Sequence, residues 1–346
     1  MKKSIIILGM LAIAAAPMYA QDDVQKAAAD AAAAIANAPA EAAPAPKPNY
    51  WKKTARLDLG FNQTSLNNWA AGGYNTLTLS AGLDCSANYK KGLMSWNNRL
   101  QMNYAFLHSA DKKGAIQKSN DLLKFDSTWG YDFATDSHWK YTASYNFRSQ
   151  FTDTPAKYVQ DGENGPWKPD GLKSGFISPA YNNIALGMEW KPTSWFDVNI
   201  APLTGSFTVV TNEILRKGYG MKLACAEDDA EYLAAVAAGK ELGGFYRNAL
   251  FQFGASVKVN AKAALNDKFT YDTQLLLFTD YLSNPFKYTR VNWDNNFAWN
   301  ATKFFKVGLN TWMIYDPLVT IDGVASKVQF KEYFLIAFTY TFVSKK

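Results

Sequence analysis

The sequence predicts an all-β protein, a transmembrane antiparallel up-and-down β-barrel of about twelve strands with a flexible N-terminal periplasmic tether. Three observations carry that expectation. Residues 75–106 read as two long alternating segments folded over a tight turn: Leu77, Leu79, Ala81, Leu83, Cys85, Ala87 and Tyr89 occupy every second position, and after Lys90-Lys91-Gly92 the pattern resumes with Trp96, Leu100, Met102, Tyr104 and Phe106. Each segment runs to about twice the usual strand length, as a tilted strand crossing a bilayer requires. No run of eighteen or more apolar residues follows residue 20, so helical spans are excluded, whereas a barrel meets lipid with alternate residues only. Finally, short turns and longer connections alternate along the chain.

Residues 1–20 read as an export signal, with Lys2 and Lys3 ahead of the apolar core Ile5 to Ala16; cleavage after Ala20 and after Ala16 both remain open. The formal charge of +6 falls to +4 once Lys2 and Lys3 are removed, which is no nucleic-acid footprint. Residues 21–49 are rich in Ala and end on Pro39, Pro44, Pro46 and Pro48. Asp23 to Ala36 has helix propensity but little to bury, which reads as a periplasmic tether; a lumen plug or docking helix is the alternative. Residues 50–346 are then the barrel.

Extending the hairpin pattern places strands near 55–66, 75–89, 94–108, 118–133, 138–151, 178–191, 195–212, 244–264, 267–281, 288–300, 303–316 and 327–342. Asn98 is the polar intruder on an otherwise apolar face. In 195–212, Pro202 and Gly205 break the alternation and predict a bulge. The short connections are 90–93, 134–137, 192–194, 265–266 and 301–302, and the longer ones are 67–74, 109–117, 152–177, 213–243, 282–287 and 317–326. Short turns belong at the periplasmic side of such barrels and long loops outside. Tyr89, Trp96, Tyr131, Trp139, Trp190 and Trp299 then gather near the short turns, with Phe106, Phe147, Tyr281 and Tyr315 near the other ends, as two interfacial girdles. The last strand, with Phe334, Ile336, Phe338, Tyr340 and Phe342 on one face, resembles the signal read by bacterial barrel-assembly machinery, although four residues follow Phe342.

Several blocks also resemble a known family. Asn62 to Gly73 with its Trp69-Ala70-Ala71-Gly72-Gly73 core, Ser86 to Gly92, Ala201-Pro202-Leu203-Thr204-Gly205 and Lys327 to Glu332 are similar to an uncharacterised Bacteroidota outer-membrane family, a domain of unknown function. The resemblance implies a barrel in the outer membrane and brings no catalytic residues.

Chemistry-bearing residues are few. His108 and His138 are the only histidines. Asp136-Ser137-His138 falls in a short turn, and His108, Ser109 and Asp111 read as a polar loop start, so neither forms a catalytic constellation and no enzyme is expected. Cys85 and Cys225 suggest neither a disulfide nor a metal site, and no cofactor is expected. Inward positions include Arg56, Asp58, Arg99, Lys124, Asp126, Arg148, Glu189, Lys258, Lys262, Asp272, Arg290, Asp294 and Lys306. They describe either an aqueous path with mixed-charge walls or a filled lumen of ion pairs, with Arg99, Arg148 and Arg290 expected to meet Asp126, Asp272 and Asp294. The 152–177 connection reads as an ordered irregular loop. The 213–243 connection holds a helix near 226–242 with Tyr232, Leu233 and Val236 on one face, either a constriction or a projecting surface. The expected role is a non-enzymatic barrel in the cell outer membrane passing small solutes or nutrients. A structural or interaction barrel, as an envelope-complex subunit or adhesin, is the alternative. Expected partners are outer-membrane lipid and the assembly machinery, not nucleic acid.

Overall fold

The computed structural model describes residues 48–64, 76–112, 115–282, 289–321 and 324–343, with isolated helical positions 26, 29, 30 and 33 before them. The expected export signal, the remainder of the tether and the Trp69 to Gly73 block lie outside the described residues.

The barrel strands are β1 (Trp51–Thr64), β2 (Thr76–Lys91), β3 (Met94–Ser109), β4 (Ile116–Asp132) and β5 (Trp139–Ser149). After the hairpin β6 (Thr154–Gln160) and β7 (Trp167–Ser174) come β8 (Ala180–Trp190), β9 (Phe196–Val209), β10 (Ala249–Ala264), β11 (Phe269–Asp280), β12 (Arg290–Asn300) and β13 (Phe305–Tyr315). The two-residue strands β14 (Thr320–Ile321) and β15 (Val324–Ala325) precede the closing β16 (Val328–Val343). Leaving out the two extra hairpins, twelve strands pair in sequence order and close, β16 returning to β1 from Thr54 opposite Val343 to Gly60 opposite Ala337. Closure removes the sheet edges that could not be satisfied in hydrocarbon.

The short turns are fixed by their own chemistry. Gly92 supplies the positive φ of +56° between β2 and β3. Asn266 Oδ1 accepts from Lys268 N and Phe269 N, and Thr302 Oγ1 accepts from Phe304 N and Phe305 N, so each side chain satisfies the backbone where the ladder ends. Ser137 does the same with Trp139, which absorbs the Asp136-Ser137-His138 triplet into a turn.

The bulge expected at Pro202 is present. Leu186 and Met188 of β8 face Leu203 and Ile200, and Gly254 and Ser256 of β10 face Thr204 and Ala201, so β9 carries one extra residue against both neighbours. Proline has no N–H to give either ladder, and the extra residue restores alternation beyond it: Ile200, Leu203 and Phe207 point out, Ala201, Thr204 and Ser206 in. The neighbouring strands come close beside it, and a Cβ on Gly187 would stand 2.2 Å from Ile200 O.

The outer wall is apolar. Leu57, Leu59, Ile184, Leu186, Ile200, Leu203, Phe251, Phe334 and Ile336 are all exposed on it. Near the short turns the rings pack into a nearly continuous girdle, Trp51 on Tyr89 and Trp96, Phe133 on Tyr141, Trp139 on Trp190 and Phe269 on Trp299. Toward the long connections Phe207 meets Phe251 and Phe253 meets Tyr281. Asn98 is accommodated on this wall because its amide donates to Ala87 O and its Oδ1 accepts from Ser127 Oγ, which in turn accepts from Trp96 Nε1.

Two loop expectations are corrected. Residues 152–177 are not irregular: β6 and β7 pair from Thr154 to Gln160, and the exposed pairs Lys157–Asp170 and Lys168–Asp161 sit on them. Prolines at 155 and 169 hid the strand pattern, since both lie in a two-stranded ribbon whose free edges need no proline N–H. The expected 226–242 helix is confined to Ala230–Ala237, starting at the Asp229 cap and stopping before Gly239, whose φ is +63°. Leu233 and Val236 are exposed, Ala235 is buried instead, and Tyr232 packs on Phe245.

Candidate functional site

Strand alternation brings a polar layer into the lumen, and side chains from opposite walls meet there. Arg99 on β3 holds Asp84 on β2 through Nε and Nη2 at 3.0 and 2.8 Å, and Nη2 reaches across the lumen to Asp272 on β11 at 3.3 Å. Arg148 on β5 reaches Asp294 on β12 at 3.2 Å, where Lys124 on β4 also donates at 2.9 Å and binds Gln274 at 2.6 Å. The Arg148 guanidinium lies 3.5 Å from the centre of the Trp312 ring, so it is clamped between an aromatic face and a carboxylate. Asp126 lies 4.0 Å from Lys124 and 3.9 Å from Lys258, and accepts from the Asn146 amide. These contacts tie β3, β4 and β5 to β10, β11 and β12 through the middle of the barrel.

Closer to the short turns a second group forms. Lys306 donates to Asp58 Oδ2 at 2.9 Å and Thr339 to its other oxygen at 2.7 Å, while Arg56 joins Asp84 at 3.2 Å. Arg56 Nε is 3.3 Å from Asp58 Oδ2, yet that N–H is not aligned to donate and stays buried without a hydrogen bond. Glu189 pairs with Lys140 at 2.8 Å, and Lys262 stands opposite Asp272 in the β10–β11 register.

Inward candidates from the sequence meet in both groups, but the expected pairing needs correction. Arg99–Asp272 and Arg148–Asp294 form. Asp126 is held by lysines, and Arg290 has no carboxylate within 4 Å among the described residues: it donates to Ser206 Oγ at 2.7 Å and lies over the Phe278 ring. Asp84, the hub for two arginines, escaped the sequence reading together with Trp312, Gln274 and Lys331. Alternation puts all four inward; what it lacks is any sign of who meets whom across the lumen.

Toward the long connections lies a chamber of about 930 Å³, floored by Lys124, Arg148 and Asp294 and bordered by Tyr181, Arg290 and Lys331. Its cover comes from the 213–243 connection and β7. Leu215 and Met221 pack with Val210 and Leu250 into a small apolar cluster joined by Leu172 and Tyr219, which fixes the segment 214–219 over the lumen. Burial pushes the Tyr219 hydroxyl up to about 12, and it donates to Lys173 O. The helix Ala230–Ala237 does not border the chamber. Both cysteines are free thiols. Ser109 Oγ donates to Asp111, which leaves it engaged at the loop start. Among the described residues no group of three metal-ligating side chains occurs.

A closed twelve-stranded barrel with an apolar outer wall, aromatic girdle and polar interior defines an outer-membrane β-barrel protein, located in the outer membrane. Residues 61–154 match a family described only as a protein of unknown function, DUF3078. No curated protein matches the chain. Among solved structures, the translocator domain of the autotransporter NalP from Neisseria meningitidis is 10% identical, with 92% of this chain and 97% of that one covered and a TM-score of 0.33. An outer membrane channel from Pseudomonas putida F1 is 8% identical over 88% and 100%, TM-score 0.35, and the NanC porin is 10% identical over 84% and 99%, TM-score 0.33. Scores this low carry no argument about function.

Proposed function

We propose that this barrel takes a small polar solute into the chamber from the cell exterior and passes it inward when the ion-pair layer beneath rearranges. The observation that carries this reading is the chamber itself: about 930 Å³ is the size of a small-molecule site, and its floor is made of side chains rather than of backbone. The long connections face outward in this reading, so the chamber opens to the medium and both ends of the barrel domain lie at the periplasmic side. An export signal over 1–20 and a tether over 21–49 fit that orientation, as does the resemblance to Bacteroidota outer-membrane proteins. We read the protein as acting without covalent chemistry: the serines beside its two histidines, Ser109 and Ser137, are engaged by Asp111 and by the Trp139 backbone.

Proteoliposomes test the proposal. Purified barrel in vesicles loaded with an impermeant sugar should swell slowly in small solutes and not in trisaccharides; vesicles that behave as empty ones toward every solute would refute it. The second reading, a structural or interaction barrel, is favoured by the pairs that bridge the lumen, Arg99–Asp272 and Arg148–Asp294. Under it a partner co-purifies from native membranes and no solute flux appears.

A further inference from the structure

The chamber is unequally charged: eight cationic side chains border it against four carboxylates. Three of those carboxylates are committed to cations. Asp121 is bound by Lys118 at 2.9 Å, Asp126 lies between Lys124 and Lys258, and Asp294 is shared by Lys124 and Arg148. Asp316 follows the end of β13 beside the β12 ladder and accepts from Leu318 N, and among the described residues it lies within 4 Å of no cation. Lys173, which is exposed, and the half-buried Arg290 and Lys331 border the chamber without a carboxylate at salt-bridge distance among the described residues. Arg290 has only a hydroxyl and an aromatic face, and Lys331 donates to Asn120 Oδ1 at 2.8 Å. Two donors in the same wall are buried without a hydrogen bond, Arg148 Nε and Ser119 Oγ, the latter beside the register shift where β4 carries an extra residue against β3. Polar donors left so are costly unless something comes to accept from them.

We infer that the chamber is a binding site for a small solute bearing a carboxylate or phosphate, with Arg290 and Lys331 as its cationic anchors and Arg148 Nε–H and Ser119 Oγ–H as further donors. This rests on the chamber being the solute site proposed above. A guanidinium fixed by Phe278 and Ser206 keeps donors for an oxyanion fork, and an ammonium two strands away supplies charge without demanding geometry. A dianion offsets part of the cationic excess around the chamber, which an uncharged sugar would not do.

The test uses the full-length purified barrel in detergent at fixed ionic strength, with succinate and inorganic phosphate as probes and glucose as control. Succinate or phosphate should raise the unfolding temperature saturably, glucose should not, and Lys331→Gln and Arg290→Gln should each weaken the apparent affinity roughly tenfold, as expected for one charge-assisted contact. If Arg290→Gln does not fold, Lys331→Gln decides alone. The inference is overturned if neither anion protects more than glucose does, or if protection is the same in the folded variants as in the parent. Flux in vesicles separates the two claims: anion binding without any flux keeps the site and ends the conduit, whereas equal flux of glucose and succinate without binding keeps the conduit and ends the site.

Discussion

Asp294 is held by two cations from the far wall, Arg148 at 3.2 Å and Lys124 at 2.9 Å, both of which are 12% exposed. Truncating one member of such a pair costs on the order of 3 kcal/mol, against about 0–1 kcal/mol for a hydrated pair on a channel wall. Arg148→Ala should therefore lower the temperature at which the folded form disappears from unheated gel samples, while changing conductance little, because Lys124 and Arg99 still bridge the lumen. Unchanged heat resistance with altered ion selectivity would contradict a filled lumen. Lys168→Ala, by contrast, removes an exposed hairpin pair and should leave heat resistance unaltered. Facing could be read from the sequence because side-chain direction alternates with period two, a local property. Pairing could not, since Arg99 and Asp272 are 173 residues apart and Arg148 and Asp294 146 apart. That gap also explains why Arg290 was assigned a carboxylate that it does not meet.

At the scale of elements, the β9 bulge breaks regular alternation, and Gly254 of β10, opposite it, lies tight against β11. A Cβ on Gly254 would stand 1.8 Å from Thr279 O, a backbone atom that cannot turn aside. Gly254→Ala should thus cost roughly 1–3 kcal/mol or more through forced strand separation, seen as a lower yield of heat-resistant barrel on refolding into detergent. A parental yield would show that the strands can spread freely there. Barrel strands were legible because long alternating runs are bounded by Gly, Asn and Thr turns. Inside the two long connections the signals conflicted: Pro155 and Pro169 masked an edge hairpin, and helix propensity across 226–242 overran the Asp229 cap and Gly239.

For the whole molecule, closure of β16 on β1 puts Tyr50 and Val343 at the same end as the short turns, so the long connections share the opposite end. An epitope inserted near Gly165 or Asp228 should be detected on intact cells, and one at Lys91 or Asp136 only after the outer membrane is opened; the reverse pattern would mean that the chamber faces the periplasm. The central claim is that the cross-lumen layer closes the barrel below that chamber. Single-channel recording tests it most directly, comparing the parent with a variant in which Arg99, Asp84 and Asp272 are all Ala, a change that removes this bridge and leaves Arg56 with Asp58 as its carboxylate. The account predicts near silence from the parent, with rare brief openings, and a conductance several-fold larger and sustained in the triple variant. A steady, wide-pore current from the parent that the triple substitution does not increase would contradict it.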